Sequence, residues 1–324
     1  MKLVRTTRSF PHALVVDGSV VTIGSFDGVH LGHRQLLDHV LDTARENRVP
    51  SVVMSFEPTP KEFFAGNKPP ARLMKFREKF EALAALGVDI FYCPRFDEDM
   101  RNIDAASFIR RLLAHTLNAN HLIVGDDFRF AHGREGGIEH LERAGAALGL
   151  TLRQVESVIV NSERVSSTAI RDALWRGDLD KAAEFLGRPY RMSGRVVHGQ
   201  TLGRRLGYPT ANVNLQRRKS AVMGIFAVRV HGLGEHPRDA VASVGTRPTF
   251  AGIAPLLEVH IFDFDEDIYG RYIHVDFVKK LRSEEKFADA DELIAQMHID
   301  SQQARDALAA DRHCNDSQHQ SEGP

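Results

Sequence analysis

Cysteine is nearly absent from this chain, with Cys93 and Cys314 the only two in 324 residues. They make no metal-type spacing and give no basis for a disulfide framework. Cys93 follows an apolar run and is expected as a buried thiol. An excess of either charge is also missing. Forty-two basic against 43 acidic side chains leave a formal net charge of -1, which supports neither a nucleic-acid nor a membrane partner. The local basic group Arg217, Arg218 and Lys219 is expected to be a solvated loop. No apolar stretch reaches the length of a bilayer span, and the opening MKLVRTTRSF lacks the apolar segment of a secretory signal. Cytoplasm is therefore the expected compartment. No GxxxxGK[ST] string occurs, which excludes a P-loop kinase. What remains is 43% hydrophobic and 26% charged, the balance of a soluble globular protein, at a length that suits two domains.

The most informative stretch is VVTIGSFDGVHLGHRQLL, residues 20–37. Val20 to Ile23 read as a buried strand; Gly24, Ser25, Asp27 and Gly28 make a tight turn; from Leu31 apolar residues recur at helical spacing. The first amides of such a helix have no internal partner and carry partial positive charge, so phosphate is a natural guest. His30 and His33 share a helix face and suit the charge that builds up during phosphoryl transfer. Taken alone, a histidine pair at this spacing is usually a solvated helix start.

Around this stretch the first half alternates strand-like and helix-like segments. Strands are expected at Ala13 to Val16, Val20 to Ile23, Ser51 to Phe56, Asp89 to Cys93, His121 to Val124 and Thr151 to Val155. Helices are expected near residues 32–46, 75–86, 105–116 and 138–148. That alternation predicts an α/β, Rossmann-like parallel sheet with ligands at the carboxyl ends of its strands. Glu57 to Pro70, with four prolines, reads as a mobile loop. Two further strings stand out. VGDDFRFAHGREGG (124–137) sets Asp126 and Asp127 beside Phe128 and Phe130, a group able to stack a flat ring and accept hydrogen bonds from it; it could equally be a surface loop with two buried rings. RVSSTAIRDAL (164–174) puts hydroxyls and two arginines at a helix start, which suits a triphosphate but also a simple capped helix.

Near residue 186 the texture changes to short β-patterned runs: Tyr190 to Val197, Ile225 to His231, Ala240 to Val244, Leu256 to Phe262 and Tyr272 to Val278. These predict a closed antiparallel β-barrel, with a closing helix from Asp291 to Leu308 and a polar tail expected to be disordered. Domains are thus expected at 1–185 and 186–311, with the tail at 312–324. GRVVHGQTLGRRLGYPTANV carries glycines that let backbone approach a phosphate, and Thr210 and Asn212 alternate so that both oxygens could face one Mg²⁺, although PTAN taken alone reads more readily as a turn entering a strand. Asp263, Asp265, Glu266 and Asp267 are expected to be a solvated acidic turn.

TIGSFDGVHLGH resembles the HxGH signature of nucleotidyltransferases in its FMN adenylyltransferase form. The GDDFRFA string is similar to that family's GxDFxFG, with Ala131 where the family has glycine, and SSTAIR matches its second motif. The later glycine block resembles riboflavin kinase, as do SVGTRPTF, LEVHIFDFDEDIYG and LRSEEKF. The whole resembles bifunctional bacterial FAD synthetases over residues 10–310. That resemblance implies phosphorylation of riboflavin to FMN, then adenylylation of FMN to FAD with release of pyrophosphate. In the first domain it implies catalysis by His30 and His33 and ATP binding by Gly24, Ser25, Phe26, Asp27, His30, His33, Arg164, Ser167, Thr168 and Arg171. Flavin would be met by Asp127, Phe128 and Arg282. In the barrel it implies Glu258 as base, ATP at Gly199, Gly203, Gly207, Thr210 and Asn212, and Mg²⁺ on Thr210 and Asn212. ATP, riboflavin and FMN would be the partners, FMN and FAD passing through as substrate and product, with the chain a monomer or weak homo-oligomer. A single-activity nucleotidyltransferase with a structural barrel, or a flavin-binding regulator without turnover, are the competing readings; the intact HxGH, SSTxIR and PTAN strings disfavour the regulator.

Overall fold

The structure, a computed structural model, describes residues 1–7, 10–66, 68–199, 207–249 and 252–320, with side chains left undescribed at 247–249, 252–253 and 313–320. The chain divides into two compact units, Met1–Pro70 with Phe76–Ser166, and Ala71–Lys75 with Ser167–Pro324. The expected division near 186 follows a change in sequence texture, whereas this one follows packing.

The first unit is built on a parallel sheet of β1 (Lys2–Val4), β2 (Ser19–Ile23), β3 (Ser51–Met54), β4 (Ile90–Tyr92), β5 (Ala119–Gly125) and β6 (Thr151–Val155), in the order β1-β4-β3-β2-β5-β6. β2 and β3 are buried at every residue, as strands covered on both faces must be. The chain goes one way from β2 through β3 to β4 and returns to add β5 on β2's other side. The gap between β2 and β5 is therefore the topological switch point, where ligands bind beyond the carboxyl ends. α1 (Leu31–Asn47) follows β2 and buries Leu36, Leu37, Val40 and Ala44.

Two expectations fail here. Ala13 to Val16 is not a strand: His12–Leu14 is a 3₁₀ turn, with Leu14 N bonded to Pro11 O and Val15 N to His12 O. The stretch 57–70 is not wholly irregular, because α2 (Pro60–Ala65) forms within it. Thr59 and Glu62 make a reciprocal capping box and Pro60 sits in the first turn, which starts a helix despite the prolines. α3 (Phe76–Ala85) and α4 (Ile138–Leu148) flank a short helix at Glu98–Arg101 and the expected helix near 105–116, which forms as Ala105–Phe108 running on into Ile109–Thr116.

The second unit is a closed barrel of β9 (Tyr190–Val197), β10 (Ala211–Asn214), β11 (Gly224–His231), β12 (Arg238–Thr249), β13 (Gly252–Ile261) and β14 (Tyr272–Arg282); the first unit's hairpin Ile159–Val160 and Glu163–Arg164 supplies β7 and β8. Every barrel pairing is antiparallel. Two helices, α5 (Ser167–Arg176) and α6 (Leu179–Leu186), precede it. The closing helix α7 spans Ala290–Gln320, so it runs on through residues expected to be a disordered tail. Nothing between Ala290 and Glu322 is proline or glycine, so no residue there breaks the helix. The basic group is corrected at one member: Arg218 and Lys219 are exposed as expected, but Arg217 is buried, donating from Nη1 to Arg72 O (2.8 Å), Leu73 O (3.3 Å) and the Tyr190 hydroxyl (3.1 Å). A guanidinium presents five donors in a fixed fork, so one side chain can gather several carbonyls.

Candidate active sites

The turn after β2 is conformationally strained. Phe26 (φ 47°) and Val29 (φ 43°) both lie in the left-handed region beside Gly28 (φ 94°), and a β-branched residue there is costly. Both side chains are fully buried, and that burial pins the backbone. His30 caps α1, its Nδ1 accepting from His33 N at 3.3 Å. With Nδ1 accepting, the neutral ring carries its proton on Nε2. The two imidazoles stack with centroids 3.6 Å apart. His33 Nδ1 is buried and meets no partner among the described residues. Burial holds the His33 pKa well below the ordinary histidine value, with the charges of His30 and Lys79 acting in the same direction. Asp27 is buried and Ser25 exposed.

The string after β5 stands across the switch point from that turn. Asp127 and Asp126 both pair with Arg164, at 2.9 and 3.4 Å, and Asp126 also accepts from Ser157 N (3.1 Å) and Oγ (2.9 Å). The structure thus joins two expected site residues, Asp127 and Arg164. Phe128 stacks on Phe130 at 5.7 Å and packs against the core. Ala131 takes φ 66° and ψ -174°, a region essentially reserved for glycine. The backbone leading into the next motif also reaches α1: a Cβ at Gly32 would lie 3.4 Å from the His30 ring and 4.0 Å from Val165 O. Ser167, Thr168 and Arg171 open α5 in the second unit, where Arg171 Nε donates to Ala71 O at 2.6 Å.

In the barrel, Asn212 on β10 is directly opposite Glu258 on β13, and Glu258 is opposite Ser243 on β12. Directly opposed residues point to one face, so an amide oxygen and a carboxylate share a surface. Asn212 is buried and Glu258 half-buried. Gly199 gives Asn212 its room, because a Cβ there would fall 2.1 Å from the Asn212 Nδ2. Gly207 (φ 82°) turns the chain towards Thr210, whose neighbour Pro209 offers its carbonyl to His260 Nδ1 at 2.9 Å. Gly203 lies outside the described residues. Arg282 is gripped by Asp300 of α7, Nε and Nη2 reaching the two carboxylate oxygens at 2.8 and 2.7 Å. Asp263 pairs with Arg305 while residues 265–267 are exposed, and among the described residues no three acidic, histidine or cysteine side chains gather for a metal.

Lys79 and Asp300 are among the buried ionic residues that the sequence pattern does not single out. Asp300 lies in line with the buried Ala304 and Leu308 at i, i+4 and i+8 of α7. Lys79 lies between Phe76 and Leu83 at i, i+3 and i+7 of α3, is 4% exposed, and donates from Nζ to Ser25 O at 2.5 Å. The available signal is the same in both: a charge placed on a stripe that helical periodicity marks as interior.

A doubly wound sheet with this turn at its switch point, followed by a closed barrel that sets an amide opposite a carboxylate, defines a two-module α/β-plus-barrel protein. The family model for FAD synthetase matches residues 14–169 and that for riboflavin kinase residues 186–308. A bifunctional riboflavin kinase/FMN adenylyltransferase from Escherichia coli K12 is 48% identical over 94% of this chain and 97% of its own. One from Pseudomonas fluorescens is 45% identical over 90% and 94%. A crystal structure described as a macrolide-efflux protein from Streptococcus pneumoniae superposes with TM-score 0.78 and 30% identity, covering 94% of this chain and 98% of that one. The chain belongs to the bifunctional riboflavin kinase/FMN adenylyltransferase family. Among the described residues no helix is long and apolar enough to cross a membrane.

Proposed function

We propose that this chain carries out two successive reactions, ATP-dependent phosphorylation of riboflavin to FMN and adenylylation of FMN to FAD. Supporting this is the coexistence, in one chain that matches such relatives almost end to end, of the strained histidine turn and the Asn212–Glu258 register pair. We assign kinase chemistry to residues 186–311 and adenylyl transfer to 1–185, with the cytoplasm as compartment and a monomer or weak homo-oligomer as the working form.

In the kinase step Glu258 accepts the proton of the riboflavin 5′-hydroxyl as its oxygen attacks the γ-phosphorus of ATP. Thr210 and Asn212 would hold the Mg²⁺ that accompanies ATP. Their hard oxygen donors fit that ion, which in such sites keeps substrate phosphates among its ligands. When bound, it neutralises charge on the transferring group. Gly199 and Gly207 bring backbone close to the phosphates, and Arg282, oriented by Asp300, faces the flavin.

In the second step the FMN phosphate is already an anion at neutral pH, so no strong base is required. One of its oxygens attacks the α-phosphorus of a second ATP, the bond to the β-phosphate breaks, and pyrophosphate leaves. His30 and His33, with the turn Gly24–Asp27, stabilise charge on the reacting oxygens. Arg164, Ser167, Thr168 and Arg171 hold ATP phosphates, while Asp127 and Phe128 meet the flavin. The exposed Arg164–Asp127 pair costs little to open for this purpose.

The test is a time course of purified protein with riboflavin, ATP and Mg²⁺, resolving the flavins by chromatography. FMN rising and then giving way to FAD is expected. FMN alone would remove the adenylyl-transfer assignment; no product from riboflavin, with FAD made from supplied FMN, would remove the kinase one.

A further inference from the structure

Lysine is among the residues least often fully buried, because an ammonium loses its hydration and an apolar side chain of similar shape usually does as well or better in its place. Lys79 is nevertheless 4% exposed, on the interior stripe of α3. Its Nζ reaches the carbonyl of Ser25, 54 positions earlier in the chain, at 2.5 Å. In a trans peptide the C=O and N–H point in opposite directions. Fixing Ser25 O towards the interior therefore turns the N–H of Phe26 away from it. Among the described residues that N–H meets no acceptor. It belongs to the left-handed stretch Phe26–Val29 and precedes the capping His30, the kind of backbone concavity that suits an anion. A second polar atom nearby also meets no partner among the described residues, the buried Nδ1 of His33.

We infer that Lys79 is a positioning residue for adenylyl transfer: through Ser25 it sets the peptide that offers the Phe26 amide to a phosphate of ATP, and its charge adds to the positive field at the start of α1. The inference rests on the adenylyltransferase reading above and adds to it a residue on a different helix, remote in sequence from all three motifs. Lys79 works from behind the turn, touching the peptide rather than the nucleotide.

The experiment uses the full chain with Lys79→Met, which keeps the length and apolar stem, and Lys79→Arg, which restores charge and donors. Each is assayed for FAD formation from FMN over a range of ATP concentrations, and for FMN formation from riboflavin in the same preparation. Lys79→Met is expected to lower kcat/KM for ATP in FAD formation at least 30-fold, with FMN formation within twofold of wild type. Lys79→Arg should recover at least a fifth of wild-type FAD formation. FAD formation by Lys79→Met within threefold of wild type would overturn the inference. So would parallel loss of both activities, which marks a purely structural lysine, or an arginine variant no better than the methionine one. If the wild type itself makes no FAD from FMN, the adenylyltransferase reading falls and this inference with it; an active wild type beside an unaffected Lys79→Met removes this inference alone.

Discussion

Ala131 occupies backbone space that its Cβ resists, and replacing it by glycine should stabilise the first unit. Its φ of 66° with ψ of -174° costs a non-glycine residue about 1–3 kcal/mol. The loop imposes this conformation through several bonds at once: Phe130 and Gly136 exchange backbone hydrogen bonds at 3.1 and 3.0 Å, His132 N reaches Ile103 O at 2.9 Å, and Arg134 N reaches Ala131 O at 3.2 Å. Two terms oppose the relief. Glycine in place of alanine widens the unfolded ensemble by about 0.4–1 kcal/mol, and half of one buried methyl is worth about 0.4 kcal/mol. Taking the middle of each range, relief exceeds loss by about 1 kcal/mol, which for a unit of this size is a rise of about 2–4 °C in its transition. Calorimetry of the intact protein reads this directly, with FMN formation as a control on the other unit. Ala131→Val, with its branched side chain, should move the same transition down. An Ala131→Gly transition that stays put or falls would refute the strain at this residue.

Four further outcomes test the two candidate sites. His30→Ala should depress FAD formation while FMN formation persists, and Glu258→Ala should abolish FMN production while leaving adenylylation of supplied FMN intact; loss of both activities in either variant would sink the division of labour. Gly199→Ala places a carbon 2.1 Å from the Asn212 amide, so riboflavin phosphorylation should fall at least tenfold with FAD formation from FMN unaffected, and an unchanged kinase rate would show that Asn212 has no fixed task. Because burial depresses the folded pKa of His33, the unfolded chain takes up a proton near pH 6.5 that the folded one still refuses. This contribution is whole above about pH 6.5 and is lost as pH falls towards the lower folded value. Urea midpoints from pH 7 to 5 should fall more steeply in wild type than in His33→Asn, and parallel slopes would contradict the assignment.

Legibility in the sequence followed how local each cause was. The core strands β2, β3 and β5, the helix after the signature turn, and most barrel strands announce themselves through apolar runs and period-two alternation, and all of them formed where that patterning places them. β1 has three residues, too few to show a period. In 57–70 the prolines point to irregular chain, whereas the T-x-x-E box at Thr59–Glu62 starts a helix. Arg217 read as solvent-facing, yet its partners are the carbonyls of Arg72 and Leu73, some 145 positions away. No local pattern reports a bond of that kind. The motif residues were legible as chemistry, whereas their supports, Lys79 behind the turn and Asp300 behind Arg282, depend on which helix face meets which strand.

The two candidate sites are held in place by opposite physical devices, and they should therefore fail differently. In the first, bulky side chains force the backbone: Phe26 and Val29 are buried completely while their φ angles are positive. The strain is carried by the core, so trimming either side chain releases the turn as well as opening a cavity. In the second, nothing is forced. Asn212 and Glu258 face each other because β10 is clamped between β9 and β13 in a closed barrel, Asn212 pairing with Val197 on one side and Glu258 on the other. A one-residue slip of β10 in such a ladder would turn Asn212 to the face opposite Glu258, and closure is what forbids the slip, since a barrel has no free edge along which a strand can shift. Small core losses should thus erode the first site gradually, through a loosened turn, while the second should keep its geometry until the barrel opens.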